Sequence, residues 1–260
     1  MSWALKRQIF IIFLLSLFFG SIFGVYYYYN IRVPVSCTDS KQNQGELGID
    51  CGGPCVNICE SEIIPLSVEW VRPFKVAEGS YDAGAMIVNR NSYLGIPKFK
   101  YRLSLFDSKN VHVSEREGEI FINPNEKVLL FVSGLDTGER EATRAILEFQ
   151  EDKLLQGWKR SEDISKKPKL SVGNEKTTEG EKPSLSAEIT NSSPYDVKDI
   201  NVSAVVYDEK NNAIAVSSTF ISDLLKDSTE TVYFTWPRAF SDKPKRVDIF
   251  PRIDYISANN

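Results

Sequence analysis

The sequence predicts a mainly β chain: two tandem antiparallel β-sandwiches, preceded by one transmembrane α-helix and a small disulfide-rich segment. Three observations carry this. The run Gln8–Ile31 holds no charged residue, and all four cysteines fall between residues 37 and 59. Beyond them, apolar residues recur at period two in short runs broken by turn residues, and the pattern returns after about 100 residues.

The anchor comes first. Ile9–Tyr29 supplies about the 20 residues that a helix needs to cross a bilayer. Lys6 and Arg7 precede it and only Arg32 follows closely. Excess basic charge marks the cytoplasmic side, so residues 1–8 are expected in the cytoplasm, 9–29 in the cell membrane and the rest on the extracytoplasmic side. Trp3 and the block Tyr26, Tyr27, Tyr28 and Tyr29 suit the two headgroup layers. A cleaved signal peptide needs small residues at −3 and −1. A cut after Gly24 puts Ile22 at −3 and a cut after Gly20 puts Phe18 there, so the segment reads as an uncleaved, single-pass signal anchor. A lipoprotein does not fit, because the first cysteine lies beyond the helix. Ser16, Gly20 and Gly24 recur every fourth residue, a spacing that lets two membrane helices approach closely. The plainer explanation is that glycine is common in such helices.

All 35 acidic residues and 29 of the 31 basic ones lie beyond the anchor, a net charge of −6 there. That argues against nucleic acid and against docking on an anionic membrane surface. With 42% hydrophobic and 25% charged residues, the chain is globular rather than disordered.

Cys37, Cys51, Cys55 and Cys59 form the next element, residues 37–59. Even-numbered, clustered and exported, they are expected to make two disulfides, and three pairings are open. The alternative is a four-cysteine zinc site, for which the x3 spacings are loose and the compartment is oxidising. Asp39, Asn43, Glu46 and Asp50 put four oxygen side chains in twelve residues, the ligand chemistry calcium takes. Their spacing departs from the EF-hand, and the same residues suit a solvated, capped turn. The stretch CTDSKQNQGELGIDCGGPCVNIC resembles a short cysteine motif of bacterial cell-surface proteins. The matching positions are Cys37, Asp39, Asn43, Glu46, Asp50, Cys51, Gly52, Gly53 and Cys55. The resemblance implies an extracellular location and no activity.

Residues 62–150 are expected to form the first sandwich, 151–169 a linker and 170–256 the second. In the first, Phe99, Tyr101, Leu103 and Leu105 alternate with Lys100, Arg102, Ser104 and Phe106, a strand with one buried face. Leu66–Val71, Ala83–Val88, Glu119–Ile122, Val128–Val132 and Ala145–Phe149 are further strands. Ser108-Lys109-Asn110, Asn123-Pro124-Asn125 and Asp136-Thr137-Gly138 are turns. Leu154, Leu155 and Trp158 are expected to pack at the junction rather than stand exposed.

In the second, Ile200, Val202, Ala204 and Val206 alternate with Asn201, Ser203, Val205 and Tyr207. Leu105-Phe106-Asp107 aligns with Val206-Tyr207-Asp208 at an offset of 101. Asn91-Ser92 aligns with Asn191-Ser192, and Val128–Val132 with Thr231–Thr235. Short strands with regular turn signals indicate sandwiches of immunoglobulin-like size. Each unit resembles the FxLYD-type immunoglobulin-like domain of bacterial envelope proteins, the second through its N-S-S turn, its V-K-D-I-N-V strand and its V-V-Y-D ending. Phe106 departs from the family's Tyr in the first. The resemblance implies a sandwich fold on a surface and transfers no catalytic residue.

Chemistry is sparse. The one histidine, His112, lies in an alternating stretch and reads as a surface strand residue. No Gly-x-Ser-x-Gly, His-Glu-x-x-His or phosphate-binding glycine loop occurs, and Glu115/Glu117 read as a solvated face. A two-carboxylate hydrolase is the third-ranked reading, because its acids can lie far apart in sequence. Asn191 and Asn201 both fit the N-glycosylation sequon, Asn191 better because it sits in a turn. The expectation is a membrane-integral, non-enzymatic binding or structural protein with no cofactor other than calcium. Its partners would be itself or envelope proteins through the helix, and an external ligand. The alternative is a structural subunit of an envelope assembly such as a secretion or appendage system.

Overall fold

The computed structural model describes residues 3–30, 36–43, 45–149, 157–161 and 167–257. The chain divides into two units, Met1–Cys59 and Glu60–Asn260.

In the first unit, helix α1 spans Trp3–Asn30. Leu, Ile and Phe fill it on every side and no charge follows Arg7, so it has no polar face. A helix apolar all round belongs inside a core or a bilayer. Its side chains are exposed along its length, so lipid is the solvent that fits it. The cysteine segment has little regular structure beyond a bridge between Gly48 and Cys51, and two disulfides tie it together.

The second unit opens with a 3₁₀ turn at Glu60–Glu62. Strands β1 (Ser67–Ala77), β2 (Ser80–Asn89), β3 (Leu94–Phe106), β4 (His112–Ile122), β5 (Glu126–Asp136) and β6 (Arg144–Phe149) follow. They make two antiparallel sheets in the orders β1-β2-β5 and β4-β3-β6, and the short β7 (Lys159–Arg160) pairs with the start of β3. The second copy comprises β8 (Leu170–Thr178), β9 (Ser184–Asn191), β10 (Val197–Tyr207), β11 (Ala213–Leu224), β12 (Thr229–Thr235) and β13 (Arg246–Arg252). Its sheets, β12-β9-β8 and β11-β10-β13, repeat the topology of the first strand for strand. These are two sandwiches that resemble a tandem immunoglobulin-like pair.

Alternation builds each core. In the second copy Leu185, Ala187 and Ile189 of β9 meet Ile200, Val202 and Ala204 of β10, with Val232 and Phe234 of β12 closing the edge. In the first, Ala83, Ala85 and Ile87 are fully buried with Leu103, Leu105 and Val128.

The turns record the duplication at atomic detail. The Asp107 Oδ1 accepts from Lys109 N and Val111 N, both at 2.9 Å, and Asn110 takes φ 58°. The Asp208 Oδ1 accepts from Lys210 N at 2.8 Å and Asn212 N at 2.7 Å, and Asn211 takes φ 60°. Asparagine tolerates that left-handed position better than most residues. The bond from Val111 N is the main reason the Asp107 carboxyl is held below the usual aspartate range, and the bond from the Asn212 side chain does most for Asp208. These contributions are present above the unfolded pKa and fade as pH falls through the folded values.

The structure corrects the register of the repeat at two places. The counterpart of Asn191 is Asn89, not Asn91. Each ends its strand, and each side-chain oxygen accepts from the backbone N–H two residues on, Asn91 N and Ser193 N. Each Nδ2 donates to the carbonyl that opens the next strand region, Leu94 O and Tyr195 O. Ala85 pairs with Leu130 and Ala187 with Val232, so Leu130 matches Val232. The expected match of Val128–Val132 to Thr231–Thr235 is one residue out, a slip that would turn every side chain to the other face. Asn191 is also corrected as a sugar acceptor: it is fully buried, and its Nδ2 donates to Tyr195 O, Leu224 O and Leu225 O. Asn201 is exposed.

The two sandwiches share an apolar face. Met86 and Leu129 pack with Val205, Tyr207, Ala213 and Val216, flanked by Trp70, Phe74, Phe131 and Phe250. Val205 and Tyr207, the positions alternating with the second core, are thus buried too. Gly84 permits the approach, since a Cβ there would sit 3.1 Å from Val216 and 3.3 Å from both Phe74 and Trp70. At one rim, Arg252 Nε donates to Glu126 Oε1 at 3.0 Å, with Arg252 only 6% exposed and its guanidinium 3.9 Å from the Phe121 ring. Asn123 Nδ2 donates to Ile253 O, and Tyr255 and Ile256 are buried beyond. Of the expected linker, Trp158 is buried and Ser161 N donates to Tyr93 O. Leu154 and Leu155 lie outside the described residues.

Arg252→Ala leaves Glu126 without its countercharge at a buried rim and is expected to cost about 3–5 kcal/mol. Replacing both members by apolar residues of similar volume should recover most of that. Urea unfolding of the two variants beside the parent decides it, and equal losses in both would contradict the assignment.

Candidate functional site

Three places have functional potential: the anchor, the cysteine module and the grooves where the sandwiches meet.

On α1, Ser16, Gly20 and Gly24 fall one turn apart, which places them along one stripe. A Cβ added at Gly20 or Gly24 meets nothing within 4 Å, so the helix backbone is bare there.

In the module, Cys37 pairs with Cys55 and Cys51 with Cys59, so the two closed loops interlace. Asp50 caps the first turn: Oδ1 accepts from Asp39 N and Oδ2 from Ser40 N, both at 2.9 Å. Asp39 in turn accepts from Lys41 N and from Asn43 Nδ2. Glu46 is buried, with Oε2 accepting from Asn43 N at 3.2 Å and Oε1 lying 3.0 Å from Cys55 Sγ. A disulfide sulfur has no proton, so that last approach is a contact and not a donated hydrogen bond. Gly53 takes φ +56°, and a Cβ there would meet Gly45 O at 2.2 Å, which explains the second glycine after Cys51.

Asp39, Asn43, Glu46 and Asp50 therefore gather in one loop system through backbone amides. Among the described residues, the potential metal-ligating atoms within 4.8 Å of one another are those of Cys37, Glu46 and Cys55, a group that residue spacing does not single out. Two of them share a closed disulfide. Metals bind the thiolate, so in this state Glu46 is the one strong ligand of the three. No sequence signal marks this grouping, because it depends on which cysteines pair.

The remaining chemistry candidates are surface groups. His112 is exposed, lies 3.4 Å from Glu115 and packs edge-on to Phe106. Glu117 pairs with Arg102 on the outer face of β3 and β4. Three shallow grooves follow the junction of the sandwiches. One is lined by Phe74, Asp82, Trp236 and Arg238, and burial raises the Asp82 carboxyl above its usual range there. A second runs past Glu126, Lys127, Lys167 and Arg252. A third is lined by Arg72, Lys75, Arg144 and Arg238. Among the described residues, no hydrogen bond in these grooves joins a hydroxyl to a carboxylate or imidazole.

No family model matches the chain, and no curated protein matches it. Among solved structures, the calcium-binding domain CBD12 of CALX1.1 aligns at 14% identity and TM-score 0.23, over 75% of this chain and 84% of that one. Red sea bream transglutaminase aligns at 12% and 0.20, over 72% and 29%. Amycolatopsis orientalis exo-chitosanase CsxA aligns at 10% and 0.20, over 66% and 25%. Likenesses this distant carry no functional argument.

The module makes a checkable prediction. Peptide mapping without reduction should recover Cys37–Cys55 and Cys51–Cys59. Asp50→Ala removes the acceptor for two backbone amides, a loss of about 1–3 kcal/mol, and should raise the mispaired fraction on oxidative refolding. An unchanged fraction would mean that the cap does not guide pairing.

Proposed function

We propose that this is a single-pass protein of the cell membrane, with its N-terminus in the cytoplasm. Its cysteine module and paired sandwiches act outside as a binding or scaffolding element without catalysis. The observation that carries this reading is the union of an all-round apolar helix with a body built from two fused β-sandwiches. Orientation rests on Lys6 and Arg7 in the first turns of the helix, before its apolar run, against Arg32 after it. The likeness of both copies to FxLYD-type domains, and of the module to a bacterial surface motif, supports an envelope setting.

Assembly through the membrane is the alternative, favoured by the bare stripe at Ser16, Gly20 and Gly24. Cross-linking of the full-length protein in its cells, with mass spectrometry of what is captured, tests both. Recovery of defined membrane partners that is abolished by Gly20→Leu plus Gly24→Leu establishes the assembly subunit. Capture unchanged in the double variant removes helix pairing, and the binding role then rests on the sandwiches.

Calcium at Asp39, Asn43, Glu46 and Asp50 is a subordinate proposal, favoured by one observation: the Oδ1 of Asn43 is buried without a hydrogen-bond partner. Bound calcium stabilises the state that holds it by mass action. Millimolar calcium against a chelator should therefore raise the melting temperature of the full chain. An identical midpoint leaves these residues as turn caps alone.

A further inference from the structure

We propose that the groove lined by Arg72, Arg144 and Arg238 binds an anionic chain, one bearing phosphate or carboxylate groups. This deepens the binding role given above and rests on it.

The argument begins with how this chain treats its arginines. Arg102 pairs with Glu117, Arg140 with Asp107, Arg160 with Glu62, Arg246 with Asp248 and Arg252 with Glu126. Acids outnumber bases, so partners are plentiful. Among the described residues five arginines beyond the anchor are nevertheless without a carboxylate: Arg90 and Arg116 elsewhere, and three that together line one groove. Arg72 donates to neutral groups, Asn212 Oδ1 at 3.0 Å and Ala213 O at 3.4 Å. Arg144 stacks over the Phe106 ring at 5.2 Å. Arg238 is exposed on the segment after β12 and makes no ion pair with a described residue. The fourth cation, Lys75, is paired with both Glu78 at 3.0 Å and Glu141 at 2.7 Å, so that group carries one net negative charge against the three arginines.

Among the described residues no carboxylate lines the groove, although Glu141 reaches its edge through Lys75, and Thr143 and Ser241 add hydroxyls to it. Guanidinium groups are planar, weakly hydrated forks that match phosphate and carboxylate oxygens in pairs. The groove encloses about 580 Å³, far more than one phosphate fills, and Phe74 and Ile214 give it an apolar floor. Three separated cations over such a floor suit a linear chain with repeated anionic groups. The acidic excess elsewhere repels a polyanion at long range, but salt screens that beyond about 8 Å at physiological ionic strength.

The groove belongs to neither copy alone. Arg72 comes from β1, Arg144 from β6 and Arg238 from the segment between β12 and β13, so it exists only because the sandwiches are packed together.

The test is titration of the full chain, held in non-ionic detergent, with linear polyphosphate, polygalacturonate and inorganic phosphate. At least one polymer should bind more tightly than inorganic phosphate. Arg144→Gln plus Arg238→Gln should weaken it about 100-fold, about tenfold for each guanidinium–anion hydrogen-bonded pair removed. Arg102→Gln, on the sheet that carries Arg144 but outside the groove lining and already paired with Glu117, should change nothing. Response to polyphosphate alone identifies phosphate as the group read, and response to polygalacturonate alone identifies carboxylate. If the double variant unfolds by circular dichroism, Arg238→Gln alone, at an exposed site, should still cost about tenfold. Binding of neither polymer overturns the proposal, as does binding undiminished in the arginine variants. This measurement needs no cellular partner, so its failure leaves the cross-linking result standing, and the reverse holds.

Discussion

Everything in the second unit depends on one apolar contact, the face where β1, β2 and β5 of the first sandwich meet β10, β11 and β13 of the second. Without it Trp70, Phe74, Met86, Leu129 and Phe131 would form a wide exposed apolar patch, which soluble surfaces rarely tolerate. Each large side chain buried there contributes about 1.5–3 kcal/mol relative to exposure. The centre is apolar and the rim is polar. Arg72 reaches Asn212 at one margin, and Arg252 with Glu126 closes the other. That division lets the apolar residues provide the energy and the polar ones fix the register.

The contact is asymmetric in a way that explains why the tandem has two members. The first copy offers its β1-β2-β5 face and the second offers its β11-β10-β13 face, so the joint is head to tail. Such a joint can be continued by another copy unless the next face differs. It does differ. Where the first copy has Gly84, Met86 and Leu129, the second has Ser186, Glu188 and Thr231 by strand pairing. Tyr233 stands 67% exposed where Phe131 is packed. The two copies keep the same inner core and the same aspartate turns, and they diverged on the outer faces.

Much of this was legible in sequence, and the rest was illegible for identifiable reasons. Period-two alternation located strands in both copies, and Asp107 and Asp208 marked equivalent turns because their carboxylates have a local job. The register of β5 against β12 went one residue astray because Val128–Val132 is apolar throughout and offers no alternation to align on. That same continuity was a missed signal. Ala83–Val88, Val128–Val132 and Val205–Tyr207 read as strands buried on both faces, whereas Ser184–Asn191 and Thr229–Thr235 alternate and leave one face in water. Asn191 looked like a sugar acceptor because the sequon describes three residues and not the strand end that buries the first of them. In the cysteine segment the oxygen-rich composition was visible. That Asp50 serves the amides of Asp39 and Ser40 was not, since amide directions leave no trace in residue spacing.

The arginine groove was the least visible feature, and the reason is physical. Its three cations come from strands and segments that approach only after both sandwiches fold and then pack. No short window of sequence contains two of them, and each alone resembles an ordinary surface arginine. What distinguishes them is convergence: Arg90 and Arg116 also lack a carboxylate among the described residues, but these three line one groove. A duplicated domain supplies two similar bodies at once, and the head-to-tail joint brings unlike faces of them together. New surface therefore arises at the rim without any change to either core. Selection can then act on rim residues such as Arg144 and Arg238 at small cost to stability, because both are exposed and outside the apolar cores. A binding site placed there is free to specialise while the apolar face beneath it holds the two sandwiches in register.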